Sequence, residues 1–254
     1  MKTMITVRYN LKQKITAFAI FYVVFLAAMT LMAILAARQG GGSSSGVEMS
    51  SAIFLLVMGL NSFKENFYFS QANGVSRRTF FLGALLSSLP LVAFMSALDL
   101  IINRVYNLFV PAPMFHDMVF SGGSLEVESG LLYSESTGSM WVPSNEFSVL
   151  FSTFLWTLCV YLMVYCLGFF LTLVYYRSGK ILKWVVSAVP IILLILLGNF
   201  YMYLPAWLFE GIGRFFQTVF FENTYISCLG FLGLALLFSL FAYLLCRRAP
   251  IKRS

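Results

Sequence analysis

Few side chains in this sequence have the types and spacing that catalysis or metal binding requires. The single histidine, His116, stands beside Asp117, and the pair is expected to be a solvated loop feature. The four cysteines are expected to be small apolar fillers of helices. Cys159 and Cys166 lie about 10 Å apart on one predicted helix, too far for a disulfide bond. No nucleophile–base pair and no metal-ligand cluster therefore stand out.

Nucleotide chemistry and ion coupling are also poorly represented. Gly179-Lys180 occurs, but the upstream glycine and the strand of a phosphate-binding loop are missing. The chain is therefore not expected to be an enzyme or to hold a cofactor. Asp99 lies about 20 residues into the predicted third span, near the outer headgroups, and a local cap or pair with Asn103 or Arg104 is favoured over a proton relay. A secondary transporter would find almost nothing here to bind its coupling ion.

The elements that must position these groups are predicted to be membrane helices. Apolar residues make up 60% of the 254 residues and charged residues only 11%, too extreme for a soluble domain. A crossing helix needs about 20 mainly apolar residues. The first apolar run, at 15–37, is too long to be the hydrophobic part of a secretory signal peptide. The chain is therefore predicted to be one all-α transmembrane domain, 1–254, with six spans at 15–37, 50–68, 80–102, 148–175, 184–203 and 226–246.

The orientation follows from the positions of the charged residues. With the N-terminus inside, fourteen of the seventeen Lys and Arg residues fall on inner segments and eight of the ten acids fall outside. Both termini are therefore predicted to be cytoplasmic. The net charge of +7 reflects this bias and attraction to anionic lipids of the bilayer, and no nucleic acid is needed to explain it. The one sizeable outer loop, 103–147, could form a small hairpin around 125–127 and 131–133.

The inner loop between the second and third spans looks built for a partner. Asn73-Gly74 is a turn signal, and Ser76 is a candidate N-cap for the third span. Arg77 and Arg78 then lie at a helix N-terminus, where the helix dipole disfavours cations. They either anchor the loop at lipid phosphates or, with the preceding aromatic residues, contact a cytoplasmic protein.

Residues 65–83, with NGVSRRTFF at 73–81, resemble the first cytoplasmic loop of type-2 ABC exporter permeases from Gram-positive bacteria. The six spans and the cytoplasmic termini are similar too. The resemblance implies that a short coupling helix in this loop fits a cleft on a separate ATPase subunit. The residues it assigns to that interface are Phe67, Tyr68, Phe69, Gln71, Asn73, Gly74, Val75, Ser76, Arg77 and Arg78.

The same layout implies a re-entrant or interfacial helical segment before the sixth span. In this chain the segment would be 204–223, with a bend offered by Gly211 and Gly213. Glu210 and Arg214 in this segment are spaced i,i+4, so they would lie on the same face of a helix. The residues predicted at this outer gate are Trp207, Glu210 and Arg214.

The resemblance implies the membrane subunit of an ATP-driven exporter in a bacterial plasma membrane. ATP and Mg²⁺ would be bound and hydrolysed by the partner ATPase, and a second permease copy or a paralogue would complete the pathway. The spans are rich in Phe, Met and Leu, so amphipathic or hydrophobic peptides are the expected substrates, as for the family's exporters of toxin-like peptides. Two alternatives stay open: a non-transporting membrane sensor or immunity factor, and an ion-coupled secondary transporter.

Overall fold

The computed structural model describes residues 2–38, 46, 48–110, 112–120, 123–124, 142–179 and 206–249. These residues are almost entirely helical, as predicted. Two residues on each side of the outer loop form a short antiparallel pair, β1 with β2. The described elements are α1 Lys2–Arg38, α2 Glu48–Asn61, α3 Lys64–Ala72, α4 Arg77–Leu86, α5 Ser88–Tyr106, α6 Phe115–Phe120, β1 Gly123–Ser124, β2 Val142–Pro143, α7 Phe147–Arg177, α8 Ala206–Phe220 and α9 Thr224–Arg247.

Four segments are helical, long and apolar enough to cross a membrane: Thr6–Leu35, Arg77–Tyr106, Phe147–Arg177 and Thr224–Arg247. They coincide with the predicted first, third, fourth and sixth spans. Each had been located from a stretch free of charge, because a charged side chain inside hydrocarbon is costly. The predicted fifth span, 184–203, lies outside the described residues, so the total of six stays a prediction.

The predicted second span, 50–68, is wrong as one continuous helix. α2 ends at Asn61, and a separate nine-residue helix, α3, begins at Lys64. The fourteen residues of α2 rise about 21 Å along the helix axis, which is less than the thickness of the hydrocarbon core, about 30 Å. At the break, the Ser62 hydroxyl donates to the Met58 carbonyl oxygen at 2.5 Å and accepts from the Tyr165 hydroxyl. Side-chain bonds between helices thus replace part of the backbone ladder.

The third span also consists of two helices, which meet at Ser87. Pro90 lies in the first turn of α5, where its missing N–H group is tolerated. The Ser87 hydroxyl is fully buried and donates to the Ala84 carbonyl oxygen. The break therefore places a polar hydroxyl inside the helix bundle.

The directions of the helices follow from their contacts. α1 runs parallel to α4 and α5. α2, α7 and α9 also run parallel to one another, and they are antiparallel to α1, α4 and α5. Two spans that run in the same direction must have an odd number of membrane crossings between them in the chain. The parallel directions of α7 and α9 are therefore compatible with one further span between them. The contacts that give the parallel directions are Lys14–Ser87, Tyr22–Asp99, Tyr161–Glu48, Tyr165–Gly59, Trp156–Ser227 and Phe170–Phe238. The opposite direction of the two groups follows from Tyr161–Asp99 and Tyr165–Ala84.

Two glycines allow the backbones of α2 and α7 to touch. A Cβ atom on Gly59 would lie 2.5 Å from the Tyr165 carbonyl oxygen, and one on Gly168 would collide with the Leu56 carbonyl oxygen. Small residues at such positions let membrane helices approach closely. This packing holds α7 at the centre of the described bundle, in contact with α2, α5 and α9.

The outer loop begins later than predicted, because α5 continues to Tyr106. The short helix α6 follows, and β1 pairs with β2 so that the ends of the segment 125–141 lie together. The hairpin predicted around 125–127 and 131–133 lies outside the described residues.

Candidate functional site

Asp99 lies buried where α1, α5 and α7 meet. Its carboxylate oxygens accept hydrogen bonds from the Tyr22 hydroxyl at 2.7 Å and from the Tyr161 hydroxyl at 2.5 Å. The expected pairing with Asn103 or Arg104 is wrong. The Asn103 amide donates instead to the backbone of the outer loop. Asp99 is therefore held by partners on two other helices. The sequence of its own helix cannot reveal such partners.

Glu48, the first residue of α2, is a second buried acid beside Asp99. Its Oε1 accepts from the backbone N–H of Phe115, and its backbone oxygen accepts from the Tyr161 hydroxyl at 3.3 Å. Its Oε2 is buried and has no hydrogen-bond partner in the part of the chain that the structure describes. Glu48 and Asp99 line one small cavity of about 10 Å³, the room of a single water-sized particle.

Arg104 neutralises a third buried acid, Asp117 of α6. Its guanidinium contacts the two carboxylate oxygens of Asp117 at 3.2 Å each. Asp117 also accepts from the backbone N–H of Met114. A two-pronged contact of this kind is the strongest form of carboxylate recognition by arginine. It fixes α6 against the end of α5.

His116 is buried, and the expected solvated His–Asp pair is wrong. Its Nδ1 lies 2.9 Å from the Thr153 hydroxyl on α7, and its Nε2 lies 3.3 Å from the Thr224 hydroxyl on α9. Burial lowers the pKa of His116 to about 4, so the ring is neutral at physiological pH. The short helix α6 thus connects three spans through two adjacent residues that face different partners.

A second polar cluster surrounds Lys14 of α1. The buried ammonium donates to the Tyr165 hydroxyl at 2.7 Å and to the Ser87 hydroxyl at 3.1 Å, and lies 4.7 Å from the centre of the Tyr165 ring. The Tyr165 hydroxyl donates in turn to Ser62 at 3.0 Å. Lys14 lies just before the predicted first span, 15–37, where a cation would normally face water. In the structure it binds Ser87 at the second helix break directly and Ser62 at the first break through Tyr165.

The predicted partner loop is built on a buried aromatic cluster, here the inner cluster. Stacked and edge-on ring contacts join α3 to the beginning of α4 and the end of α7, with centroids 4.8 to 6.3 Å apart. Such pairs stabilise beyond their buried area by about 0.5–1.5 kcal/mol. The rings of the inner cluster belong to Phe63, Phe67, Phe80, Phe169 and Tyr176.

The ten predicted interface residues divide by exposure. Phe67 is fully buried, so its side chain packs inside the protein. Phe69, Asn73, Gly74, Ser76 and Arg78 are exposed, and Tyr68, Gln71, Val75 and Arg77 are partly exposed. Five of the ten therefore form the outer surface of the loop.

Local hydrogen bonds fix the conformation of this loop. Gly74 has φ +67°, the left-handed conformation that favours glycine. The Ser76 hydroxyl accepts from the Thr79 N–H at 3.2 Å. The Asn73 side-chain amide donates to the Phe69 carbonyl oxygen at 2.7 Å. The predicted turn and the predicted N-cap are both confirmed.

The loop is also attached to two helices far away in sequence. The Phe69 ring stacks on Tyr9 of α1, with the centroids 4.9 Å apart. The Arg77 guanidinium donates to the Arg247 carbonyl oxygen, at the end of α9, at 2.7 Å. A displacement of the loop would therefore move α1 and α9 as well as α7.

The predicted outer-gate segment is a helix, α8, but the predicted bend is wrong. α8 continues through Gly211 and Gly213, and it packs on α9 where Val219 and Phe220 approach Gly230. Arg214 is exposed. The side chains of Trp207 and Glu210 lie outside the described residues, so the predicted i,i+4 pair and the outer gate stay predictions.

An apolar groove of about 570 Å³ lies between α1 and α5 near their C-terminal ends. Thr30 and the Tyr106 hydroxyl are its polar groups, and the other lining residues are aliphatic or Phe109. This composition suits a hydrocarbon chain or an apolar peptide face.

In the described ranges, no three His, Cys, Asp or Glu side chains are placed to hold a metal ion. All four cysteines are buried free thiols. Comparison of the chain with protein-family models, with curated proteins and with solved structures finds no match in any of the three. The function must therefore be argued from the residues of this chain alone.

Proposed function

We propose that this chain is the membrane subunit of an ATP-driven ABC exporter in a bacterial plasma membrane. The supporting observation is the inner loop, which combines an exposed basic and aromatic surface with firm attachment to the helix bundle. The chain has no P-loop sequence of its own. A separate cytoplasmic ATPase subunit would bind ATP and Mg²⁺ and act on this loop.

The attachment of the loop supports a mechanical role. α3 packs through the inner cluster on α4 and α7, Phe69 contacts α1, and Arg77 contacts the end of α9. A close-packed aromatic cluster transmits displacement because it has little free volume. A movement of the ATPase against the loop would therefore tilt several spans together.

The surface of the loop supports a protein partner. Arg78 is exposed at the N-terminus of α4, where it does not stabilise the helix, and Phe69 is half exposed next to Asn73. Arginine and aromatic residues are enriched in the centres of protein interfaces. A partner surface with acidic residues around an apolar cleft would complement these three side chains.

The apolar groove supports an amphipathic or hydrophobic peptide as substrate. The groove opens along α1 and α5. On the side of the groove, the other described spans do not cover either helix. A second copy of the chain, or a paralogue, would face this side and complete the pathway.

A photo-crosslinking amino acid in place of Phe69 tests this proposal in living cells. The matched control is the same substitution at Phe147, which is more exposed but lies at the opposite end of α7. We expect an adduct at position 69 with a protein that contains a P-loop, and no such adduct at position 147. Adducts at position 69 that contain only lipid, or only a second copy of this chain, would overturn the proposal.

An ion-coupled secondary transporter is the second candidate, favoured by the burial of Asp99 in a span. It predicts that Asp99→Asn abolishes transport and that an imposed proton gradient drives transport without ATP. The exporter proposal predicts transport in proteoliposomes only when the ATPase partner and ATP are present.

A further inference from the structure

The region around Glu48 contains more buried negative charge than positive charge. Glu48, Asp99 and Asp117 are each at least nine-tenths buried. Arg104 is the basic side chain that faces them among the described residues, and both of its terminal nitrogens are engaged by Asp117. Lys14 is bound one helical turn away, to Tyr165 and Ser87. Glu48 and Asp99 are thus left without a cationic partner in the described part of the chain.

The two acids share a cavity that has room for one water-sized particle. The Glu48 side chain lines it, and the Glu48 Oε2 is a buried acceptor without a partner. A buried carboxylate oxygen that makes no hydrogen bond costs several kcal/mol if it stays ionised. A water molecule in the cavity could bond to this atom but would not compensate its charge, which leaves a metal cation or a proton to do so.

The lining of the cavity favours a proton. Apart from the two acids and Asn103, the cavity is lined by Phe25, Met29, Ile102 and Met114. Both ends of the Asn103 amide are occupied, since Nδ2 donates to Ala112 and Oδ1 accepts from Asn107. A metal cation would therefore lack the cage of oxygen ligands that it requires.

We propose that Glu48 and Asp99 form a proton-binding site, in which the Glu48 Oε2 carries a proton that exchanges through the cavity. Asp99 already accepts from two hydroxyl groups, Tyr22 and Tyr161, which suit an ionised carboxylate. Glu48 and Asp99 line one cavity, and acids that interact titrate as a pair. The proton is taken up from water and returned to water, with no other bond made or broken.

This inference does not rest on the exporter proposal. The groups that face the two acids are Tyr161 from α7, Tyr22 from α1 and Asp117 from α6, with Arg104 of α5 paired to Asp117. None of these groups belongs to the inner loop, 65–83, on which the exporter proposal rests. A failure of the proton site would leave the inner loop untouched, and the reverse also holds.

Infrared titration of the full chain in lipid nanodiscs tests the site directly. A protonated carboxyl group has a C=O stretch that an ionised one lacks. Exposed acids ionise near pH 4, so we expect one such band to remain at pH 6. It should be absent from Glu48→Gln and present in Glu146→Gln, a matched change at an exposed acid. Equal bands in the wild-type chain and Glu48→Gln would overturn the proposal.

Two further arms keep the test decisive if Glu48→Gln does not fold. Asp99→Asn removes the neighbouring negative charge, so the wild-type band should then disappear about one pH unit lower or more. An unchanged midpoint would show that the two acids do not share a proton. Addition of Na⁺ at constant pH should leave the wild-type band unchanged. Its loss would show that the site binds a metal cation instead.

Discussion

Tyr161 and Tyr165 lie one turn apart on α7 and bind side chains of opposite charge. The Tyr161 hydroxyl donates to the Asp99 carboxylate, and the Tyr165 hydroxyl accepts from the Lys14 ammonium. The rise of one turn separates the two hydroxyl-bearing residues by about 6 Å along the helix axis. α7 thus carries, near its middle, the polar contacts that join it to α1, α2 and α5. The proton site depends on the first of these two contacts, between Tyr161 and Asp99.

Tyr165→Phe should destabilise the protein by about 2 kcal/mol. The change leaves the buried Lys14 ammonium with one fewer acceptor, and hydrogen bonds to charged groups contribute about 1.5–3 kcal/mol. Thermal unfolding in detergent measures the effect. Tyr225→Phe, at an exposed tyrosine, is the control and should change little.

The double mutant Lys14→Met with Tyr165→Phe isolates the contact between the two residues. Its loss of stability should be smaller than the sum of the two single losses, because the charge that lacks an acceptor is gone. Strict additivity would contradict the contact.

Gly168→Ala should cost about 1–3 kcal/mol, because the added methyl group would push α2 away from α7. The collision is with the Leu56 backbone, which a rotamer change cannot relieve. Gly233→Ala on α9 is the matched control, since a Cβ there meets no atom within 4 Å. The control should be neutral or slightly stabilising. Equal unfolding temperatures for the two variants would refute the close packing of α2 on α7.

Stability should fall between about pH 6.5 and pH 4 through His116. Its folded-state pKa, about 4, lies below the value near 6.5 of an unfolded chain. The unfolded state therefore binds more protons in that window, and stability rises with pH across it. His116→Gln should flatten this part of the pH–stability curve measured by chemical denaturation. An unchanged curve would show that His116 is not buried as described.

Mild oxidation should join Cys159 of α7 to Cys228 of α9. The two thiols lie in one small buried cluster with Trp156. Peptide mapping by mass spectrometry should find this disulfide and should find none that contains Cys166. Absence of the 159–228 link after complete oxidation would contradict the parallel packing of α7 and α9.

Features that depend on neighbouring residues in the chain were predictable from the sequence. Four spans were located because stretches free of charge identify membrane helices directly. The turn at Gly74 and the cap at Ser76 were correct because their hydrogen bonds close within four residues. The break after α2 was missed, because it is stabilised by Tyr165, a partner more than a hundred residues away.

The buried polar groups were misjudged for the same reason. Lys14, Glu48 and Asp99 lie near the ends of predicted spans, where water or lipid headgroups normally solvate charged side chains. Their partners are on other helices, and a single sequence does not show which helices are adjacent. One signal was present in the sequence. Tyr22 and Tyr161 lie inside predicted spans, and a buried tyrosine hydroxyl normally needs a hydrogen-bond partner.

Purification of the wild-type chain from gently solubilised membranes tests the exporter proposal most directly, with associated proteins identified by mass spectrometry. The proposal predicts a stoichiometric partner that carries a P-loop. Arg78→Glu should remove it, whereas Lys12→Glu, an equal charge change at another exposed inner residue, should retain it. A stable chain that purifies without any nucleotide-binding protein, or a partner that Arg78→Glu retains fully, would contradict the central role of the inner loop.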